Sequence, residues 1–188
     1  KEGQLERNLR IGVEEGLMAT PWVFLSLPGG FIISALLTLH YGIGPALFGL
    51  IASLPAWSNA LQVVLVPFLG KVMSARDMAL SMSWLNLGVW GLMACSLGFL
   101  PEGDAVLAGK FFVIFFLLAS LSASLVGVGW TSWVPEWVPQ RIRGNYFGRR
   151  NRYIGLATIA FLFFSMALLN LLGENVAAYQ IIFISAAL

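Results

Sequence analysis

Charged residues are scarce in this chain of 188 residues: Asp, Glu, Lys and Arg make up 11% of it, whereas hydrophobic residues make up 59%. A water-soluble domain carries about 25% charged residues and roughly 45–50% apolar ones. The composition therefore excludes an ordinary water-soluble domain. It also excludes intrinsic disorder, because disordered chains contain few apolar residues. The class that remains is a polytopic membrane protein.

Residues that commonly hold metals or perform catalysis are also few. The chain has one cysteine, Cys95, and one histidine, His40. This excludes a disulfide framework and a cysteine-based metal site within the chain, and no metal-ligand spacing occurs. No glycine-rich loop with Lys-Ser or Lys-Thr is present to hold a phosphate. We expect no cofactor, no metal and no enzymatic activity. An intramembrane enzyme that uses His40 or a buried serine is the weakest alternative.

Long charge-free runs predict six transmembrane helices. The run between Glu15 and Lys71 contains no charge apart from a possible one on His40, and a single span needs only about 20 residues. It therefore predicts two helices, joined by a turn at 40–45 where glycine and proline cluster. The predicted helices cover residues 17–39, 46–69, 78–100, 111–134, 153–172 and 175–188. The first and last residues, Lys1 and Leu188, lead us to expect a piece of a longer chain, with the sixth helix truncated.

Helix-breaking residues and small residues add detail to this prediction. Proline and glycine are expected to interrupt the first helix at 21 and 28–30 and the second at 55 and 67; such breaks are either packing kinks or borders of a central site. Small residues let helices approach closely. In the fourth helix they recur at steps of four, at Ala119, Ala123 and Gly127.

The positive charges are distributed unevenly between the two sides of this topology. Every Lys and Arg except Lys110 lies in the N-terminal segment, in 70–77 or in 135–152. The opposite side holds Lys110 with Glu102, Asp104 and Glu174. By the positive-inside rule, the N-terminus is predicted to be cytoplasmic. The basic stretch 141–152 lies between two predicted spans, so anionic lipid headgroups are the expected anionic partner and nucleic acid is not.

Polar and aromatic side chains inside the predicted helices are candidates for a substrate cavity. Such groups need partners or water, since hydrocarbon offers neither. Interhelical hydrogen bonding and packing are the competing interpretation. The candidates are Trp22, Trp57, Asn59, Gln62 and Asn86.

Two carboxylates, Glu14 and Glu15, come shortly before the first apolar helix. One interpretation is a solvated or arginine-paired helix start, where negative charge also suits the helix dipole. The other is a protonatable carboxylate that couples transport to a proton gradient. The depth of these residues in the membrane separates the two.

The segment after the fourth predicted helix contains a spaced motif: an acidic residue, a proline three positions on, then Arg-Gly and another glycine. These residues are Glu136, Pro139, Arg143, Gly144 and Gly148. The motif resembles the loop between helices 4 and 5 of the major facilitator superfamily. The loop between the second and third helices is similar as well, with Pro67-Phe-Leu-Gly-Lys71 followed by Arg76-Asp77.

This chain also departs from the family pattern. Ser74 stands where the family's loop 2–3 motif has an aspartate, the fourth predicted helix lacks an arginine, and the fifth lacks a Gly-Pro signature. A multidrug–proton antiporter is therefore disfavoured. The string Arg143-Gly-Asn-Tyr-Phe-Gly-Arg-Arg-Asn-Arg152 resembles a bacterial branch of the superfamily, and a substrate does not transfer with a fold.

The resemblance implies an all-α polytopic membrane protein, namely the six-helix N-terminal half of a major facilitator fold. It implies secondary active transport of a small solute by alternating access, with a C-terminal half as partner and a bacterial inner membrane as location. A non-transporting membrane scaffold on the same fold is the main alternative. Arg143 is hypothesised to pair with Asp77 or Glu136 in one state only. The gating candidates are Gly70, Arg76, Asp77, Glu136, Arg143 and Gly144.

Overall fold

The computed structural model describes residues 2–101, 104–173 and 175–187, and within these ranges it contains helices and no strand. The predicted all-helical class is confirmed for these residues. The charges of Lys1, Glu102 and Glu174, and the last residue of the predicted sixth helix, Leu188, lie outside them. The α-helices are α1 (Glu2–Leu25), α2 (Phe31–Ala35), α3 (Pro45–Leu69), α4 (Ala75–Ser96), α5 (Ala105–Trp133), α6 (Gln140–Leu172) and α7 (Val176–Ala187).

Four helical segments are long and apolar enough to cross a membrane: Pro45–Leu69, Ala75–Phe99, Ala105–Glu136 and Gln140–Leu172. The shortest of them has 25 residues, which is about 38 Å of helix against a hydrocarbon core of about 30 Å. These segments cover the second to fifth predicted helices, except for Leu100 at the end of the third. Phe31–His40 and Val176–Ala186 are apolar but shorter. The chain is therefore an all-helical protein with the character of a membrane protein.

The predicted first helix, 17–39, does not form one continuous span. Instead, α1 ends at Leu25, and a second helical segment begins at Phe31 and continues as a π-helix over Leu36–His40. The break falls at Pro28-Gly-Gly30, where proline removes a backbone donor and glycine favours irregular backbone. The other prolines do not end a helix: Pro21 lies inside α1, and Pro55 and Pro67 lie inside α3. A kink at these positions stays a prediction.

Two further boundaries differ from the prediction. The charged N-terminal segment is helical from Glu2, and the segment predicted as a loop over 135–152 is mostly the first turns of α6, which begins at Gln140. Both segments are rich in charged residues, which form helices readily when water solvates them. Helical periodicity of the apolar residues alone could not show this extension. As a result, α1 and α6 project past the apolar region at the same end of the bundle.

The main packing contacts order the helices in space as α3, α5, α4, α7, α1 and α6, with a further contact between α6 and α7. At the centre, the ring of Trp90 on α4 is 1% exposed. Its ring centroid lies 5.1–5.9 Å from those of Trp22, Phe115, Phe116 and Phe183. Aromatic pairs at this separation stabilise packing beyond their buried area, so this cluster joins α1, α4, α5 and α7.

Helices α4 and α5 approach each other closely at Gly129, where the nearest atoms of α4 are backbone atoms. A Cβ added there would lie 2.7 Å from the backbone nitrogen of Ala79 and 2.9 Å from the carbonyl oxygen of Ala75. Of the small residues predicted to make this contact, Ala119 is buried but Gly127 is exposed and faces open space. The predicted type of contact is present, but its narrowest point lies two residues beyond Gly127.

Candidate functional site

The most developed polar arrangement is the Arg150 cluster, which we define as Arg150, Glu15, Gly12, Gly16 and Trp130. Arg150 Nη2 lies 2.9 Å from Glu15 Oε2, and Arg150 Nε donates to the carbonyl oxygen of Gly12 at 3.0 Å. Its guanidinium carbon lies 4.6 Å from the centroid of the Trp130 ring. One side chain of α6 therefore contacts α1 and α5 together, at the end of the bundle that holds the basic segments.

Two glycines of α1 make room for this arrangement. A Cβ added at Gly16 would lie 2.7–2.8 Å from the guanidinium atoms of Arg150, and one at Gly12 would collide with the hydroxyl of Tyr146. Because glycine has no side chain, the backbone of α1 can approach α6 closely enough for Arg150 to reach a helix carbonyl. Sequence reasoning did not identify Gly12, Gly16 or Arg150 individually. The sequence did contain a signal for this contact: Gly12 and Gly16 are four residues apart, which places both glycines on one face of α1.

The coupling candidates Glu14 and Glu15 both form ion pairs. Glu14 Oε1 lies 2.8 Å from Arg10 Nε, one turn away on α1, while Glu15 pairs with Arg150 across to α6. Both carboxylates are about half exposed, at 53% and 50%. The hydrogen bond to Glu14 raises the pKa of Arg10 above its ordinary value. This geometry matches the arginine-paired interpretation, and a proton-coupling role stays a prediction.

Asn86 is the polar centre of the bundle rather than an open cavity residue. It is 4% exposed. Its Oδ1 accepts a hydrogen bond from Trp22 Nε1 at 2.7 Å, and its Nδ2 lies 2.8 Å from both the Ala119 carbonyl and Ser122 Oγ. Two of the cavity candidates, Trp22 and Asn86, therefore contact each other and tie α1, α4 and α5 together. Their polar groups are already paired in this conformation.

The three candidates on α3 lie apart from this pair. Trp57 and Asn59 are exposed, at 63% for Trp57, and Gln62 is half-buried. Within the described residues, neither α3 amide forms a hydrogen bond with Asn86. The five predicted cavity residues are thus divided between a closed centre and the outer face of α3.

The gating candidates cluster at two helix junctions at the basic end of the bundle. Ser74 caps α4: its Oγ accepts from the Asp77 backbone nitrogen at 3.1 Å and donates to Asp77 Oδ2 at 2.7 Å. The Arg76 guanidinium carbon lies 5.9 Å from the Trp133 ring centroid. Gly70 follows α3 directly. These contacts join the α3–α4 connection to the end of α5.

Arg143 is engaged differently from the hypothesis. Its Nη2 donates to the carbonyl oxygen of Val138 at 3.1 Å, across the turn between α5 and α6. Neither Asp77 nor Glu136 forms an ion pair with it in the part of the chain that the structure describes. Glu136 and Gly144 are exposed. Arg143 therefore stabilises the start of α6 in this conformation, and a gating role stays a prediction.

No group of three or more His, Cys, Asp or Glu side chains in the described ranges has the geometry of a metal site. The ring of His40 packs against those of Tyr41 and Tyr179, with centroids 4.8 and 6.2 Å away. A groove of about 650 Å³ runs between α1 and α6 beside the Arg150 cluster.

Comparison with known proteins adds no identification: no family model, no curated protein and no solved structure matches this chain. The class defined by the fold is an all-helical membrane protein. Function must be inferred from the placement of its polar residues.

Proposed function

We propose that this chain is one helical bundle of a secondary transporter, which moves a small solute across a membrane by alternating access. The proposal includes the N-terminal half of a major facilitator fold, a cytoplasmic N-terminus in a bacterial inner membrane, and a second bundle as partner. Its support is the topology expected from the charges, the loop pattern around Arg143 and the exposed amide of Asn59 on α3.

The exposure of the Asn59 side chain is the observation that carries the proposal. Asn59 lies near the middle of α3, whose apolar length suffices to cross a membrane, and its side chain is exposed on the bundle surface. An amide that faces hydrocarbon without a partner is costly. Gln62 follows three residues later on the same face. A water-filled path or a second polar surface beside α3 would satisfy both amides.

The packing of α3 supports the same conclusion. Only 17% of its most apolar stretch is buried inside the bundle, as for α6, against 33% and 39% for the α4 and α5 segments. The two least buried long helices are the first and last in the spatial order of the bundle. A second bundle that contacts α3 and α6 would enclose a space lined by Trp57, Asn59 and Gln62.

Thiol labelling tests whether Asn59 faces water. In a Cys95→Ser background, Asn59→Cys is treated with a charged, membrane-impermeant thiol reagent in native membranes. Val64→Cys is the matched control, because Val64 is 59% exposed but lies about 140° around the helix from Asn59. We expect rapid labelling at position 59 and slow labelling at 64. Equal, slow labelling at both positions would place Asn59 against lipid and remove this support.

Solute flux tests transport itself. The purified protein is reconstituted in proteoliposomes, and solutes that raise its melting temperature are examined in counterflow. Asn59→Leu should lower the flux, and bound solute should protect Asn59→Cys from labelling. If Asn59 is water-accessible but no stabilising solute is transported, the non-transporting scaffold becomes the better interpretation.

The proposal also gives separate roles to Glu15 and Arg143. Glu15→Gln should reduce the dependence of flux on an imposed proton gradient if Glu15 couples transport to protons. Arg143→Gln should slow transport at unchanged protein abundance if Arg143 exchanges its Val138 contact for a carboxylate in another state. Anionic lipid headgroups remain the proposed partner of the exposed basic residues in 141–152.

A further inference from the structure

Helices α3 and α5 pack closely at the end of the bundle away from the basic segments. A Cβ added at Gly109 of α5 would collide with the side chain of Leu47 of α3. Both helices run from this contact toward the basic end of the bundle. Ser58 and Ser120 each follow eleven residues later, which is about three helical turns. The two serines therefore lie at one level, each on the side of its helix that faces the other helix.

The two helices separate beyond the level of the serines. Leu65 and Gly127 lie eighteen residues beyond the first contact, which is five full turns, so they would touch in the same way if the helices stayed together. Instead, Leu65 is half-buried, Gly127 is exposed, and a Cβ added at Gly127 would meet no neighbouring atom of the described residues within 4 Å. A bend at Pro55, of the kind that proline produces in helix interiors, would separate the helices in this way. A space is left between α3 and α5 on the basic side of the serines.

The hydroxyls of Ser58 and Ser120 lie where this space begins. Ser58 is 0% exposed and Ser120 is 8% exposed, and neither hydroxyl has a hydrogen-bond partner among the described residues. Ser124, one turn further along α5, instead donates to the carbonyl oxygen of Leu121 at 2.9 Å. A buried hydroxyl without a partner is costly, and a serine hydroxyl can both donate and accept. Both serines therefore require a hydrogen-bonding group in the space between the helices.

The polar groups around this space favour water over lipid. Gln62 lies one turn beyond Ser58 on nearly the same side of α3, is half-buried and brings an amide to the space. An acyl chain offers neither donor nor acceptor, so it would leave the amide and both hydroxyls without partners. Water satisfies all three groups, and it can enter from the basic end, where the helices are separated.

We propose that the space between α3 and α5 is a water-filled cleft that opens at the basic end of the bundle. Its innermost water molecule bridges the hydroxyls of Ser58 and Ser120, which lie at one level without bonding to each other. Both serines lie near the middle of their long apolar helices, so the cleft brings water from one side to the centre of the membrane. The proposal requires the membrane placement of the chain but not its transport function.

Thiol labelling from each side of the membrane tests the cleft. In the Cys95→Ser background, Leu65→Cys is treated with a charged, membrane-impermeant thiol reagent in vesicles of either orientation. Val64→Cys is the matched control, because Val64 lies at the same depth and is 59% exposed but points about 100° away from Leu65. The reagent needs an ionised thiol, and burial in apolar surroundings keeps a thiol protonated.

We expect Leu65→Cys to react about tenfold faster than Val64→Cys, and only when the reagent is on the side of the basic segments. Equal labelling at the two positions would mean that lipid fills the space. Faster labelling from the opposite side would mean that the space opens the other way. Either result would overturn the proposal.

Alanine replacements test the bridging water. Ser58→Ala should raise the unfolding equilibrium constant in detergent about fivefold, and Ser120→Ala should add little once Ser58 is replaced, because both hydroxyls share one water. Ser124→Ala is the control: its hydroxyl bonds to its own helix, so its effect should be the same with or without Ser58. A lower unfolding constant in Ser58→Ala would show a dry hydroxyl without a partner, and additive effects of Ser58→Ala and Ser120→Ala would show that no water joins them.

Discussion

Replacing Arg150 by methionine tests which of its contacts holds α1, α5 and α6 together. Methionine keeps most of the side-chain length and removes the charge and the donors. Arg150 is 13% exposed at its side chain, whereas its partner Glu15 is 50% exposed. The contact with the Trp130 ring and the hydrogen bond to Gly12 are more shielded from water than the ion pair.

The expected loss in unfolding free energy follows from how well each contact is shielded from water. The ion pair with half-exposed Glu15 contributes at most about 0.5 kcal/mol. The hydrogen bond to the Gly12 carbonyl contributes about 1 kcal/mol, and the shielded cation–π contact with Trp130 at 4.6 Å contributes about 1 kcal/mol. We therefore expect Arg150→Met to lower the free energy of unfolding by about 2 kcal/mol. The ion pair, although the more conspicuous contact, should be the weaker one.

Double-mutant cycles in reversible detergent unfolding measure the two couplings. The cycle of Arg150→Met with Trp130→Leu should give about 1 kcal/mol, and the cycle with Glu15→Gln about half of that or less. Arg152→Met is the control and should change stability by less than about 0.5 kcal/mol. A larger coupling to Glu15 than to Trp130 would refute the reasoning from exposure.

Three further predictions, two of them with a matched control variant, test the rest of the fold. Gly129→Ala should destabilise the bundle by about 1–3 kcal/mol through overpacking against α4, whereas Gly127→Ala should be neutral or stabilising by up to about 1 kcal/mol; unfolding curves of the pair check this. Asn86→Leu should lower the unfolding free energy by about 1–2 kcal/mol because three hydrogen bonds are lost, and Asn59→Leu should not; equal effects would contradict the central role of Asn86. Ser74→Ala should cost about 1 kcal/mol as the loss of an N-cap, measured by thermal unfolding followed by circular dichroism.

The long helices could be predicted from the sequence because a charge-free run is a strong physical signal. The segments at 45–69, 75–99, 105–136 and 140–172 cover the predicted ones, except for Leu100. The charged extension of α6 over 140–152 could not be predicted, since a charged stretch is compatible with both a solvated helix and a loop. A break in the first helix was predicted at 28–30 and is present, but hydropathy does not distinguish Pro28-Gly-Gly30, which lies between α1 and α2, from Pro21, which lies inside α1.

The residue types of the candidate site could be predicted from the sequence. Which of these residues contact each other could not. Sequence reasoning selected Asn86 as a polar group that needs a partner and Trp22 as an aromatic candidate for the same cavity, and the structure brings these two together. It could not select Arg150 over Arg149 or Arg152, because only the relative rotation of α6 and α1 determines which arginine faces Gly12 and Gly16. Likewise, it placed the close helix contact along Ala119, Ala123 and Gly127 and did not include Gly129, since small residues on a helix indicate a contact without fixing its face.

Asn59 and Asn86 illustrate how burial separates structural from functional polar residues. Both are asparagines within apolar helices, and the sequence gives the same argument for each. Asn86 is buried, and both ends of its amide are hydrogen-bonded within the bundle. A solute would have to break those bonds to bind there, with no gain unless it replaced each of them. Asn59 is exposed on α3, so a solute or a second bundle could bind it without that cost. If the proposed transport function is correct, the place to look for a substrate is therefore the outer face of α3, not the polar centre of the bundle.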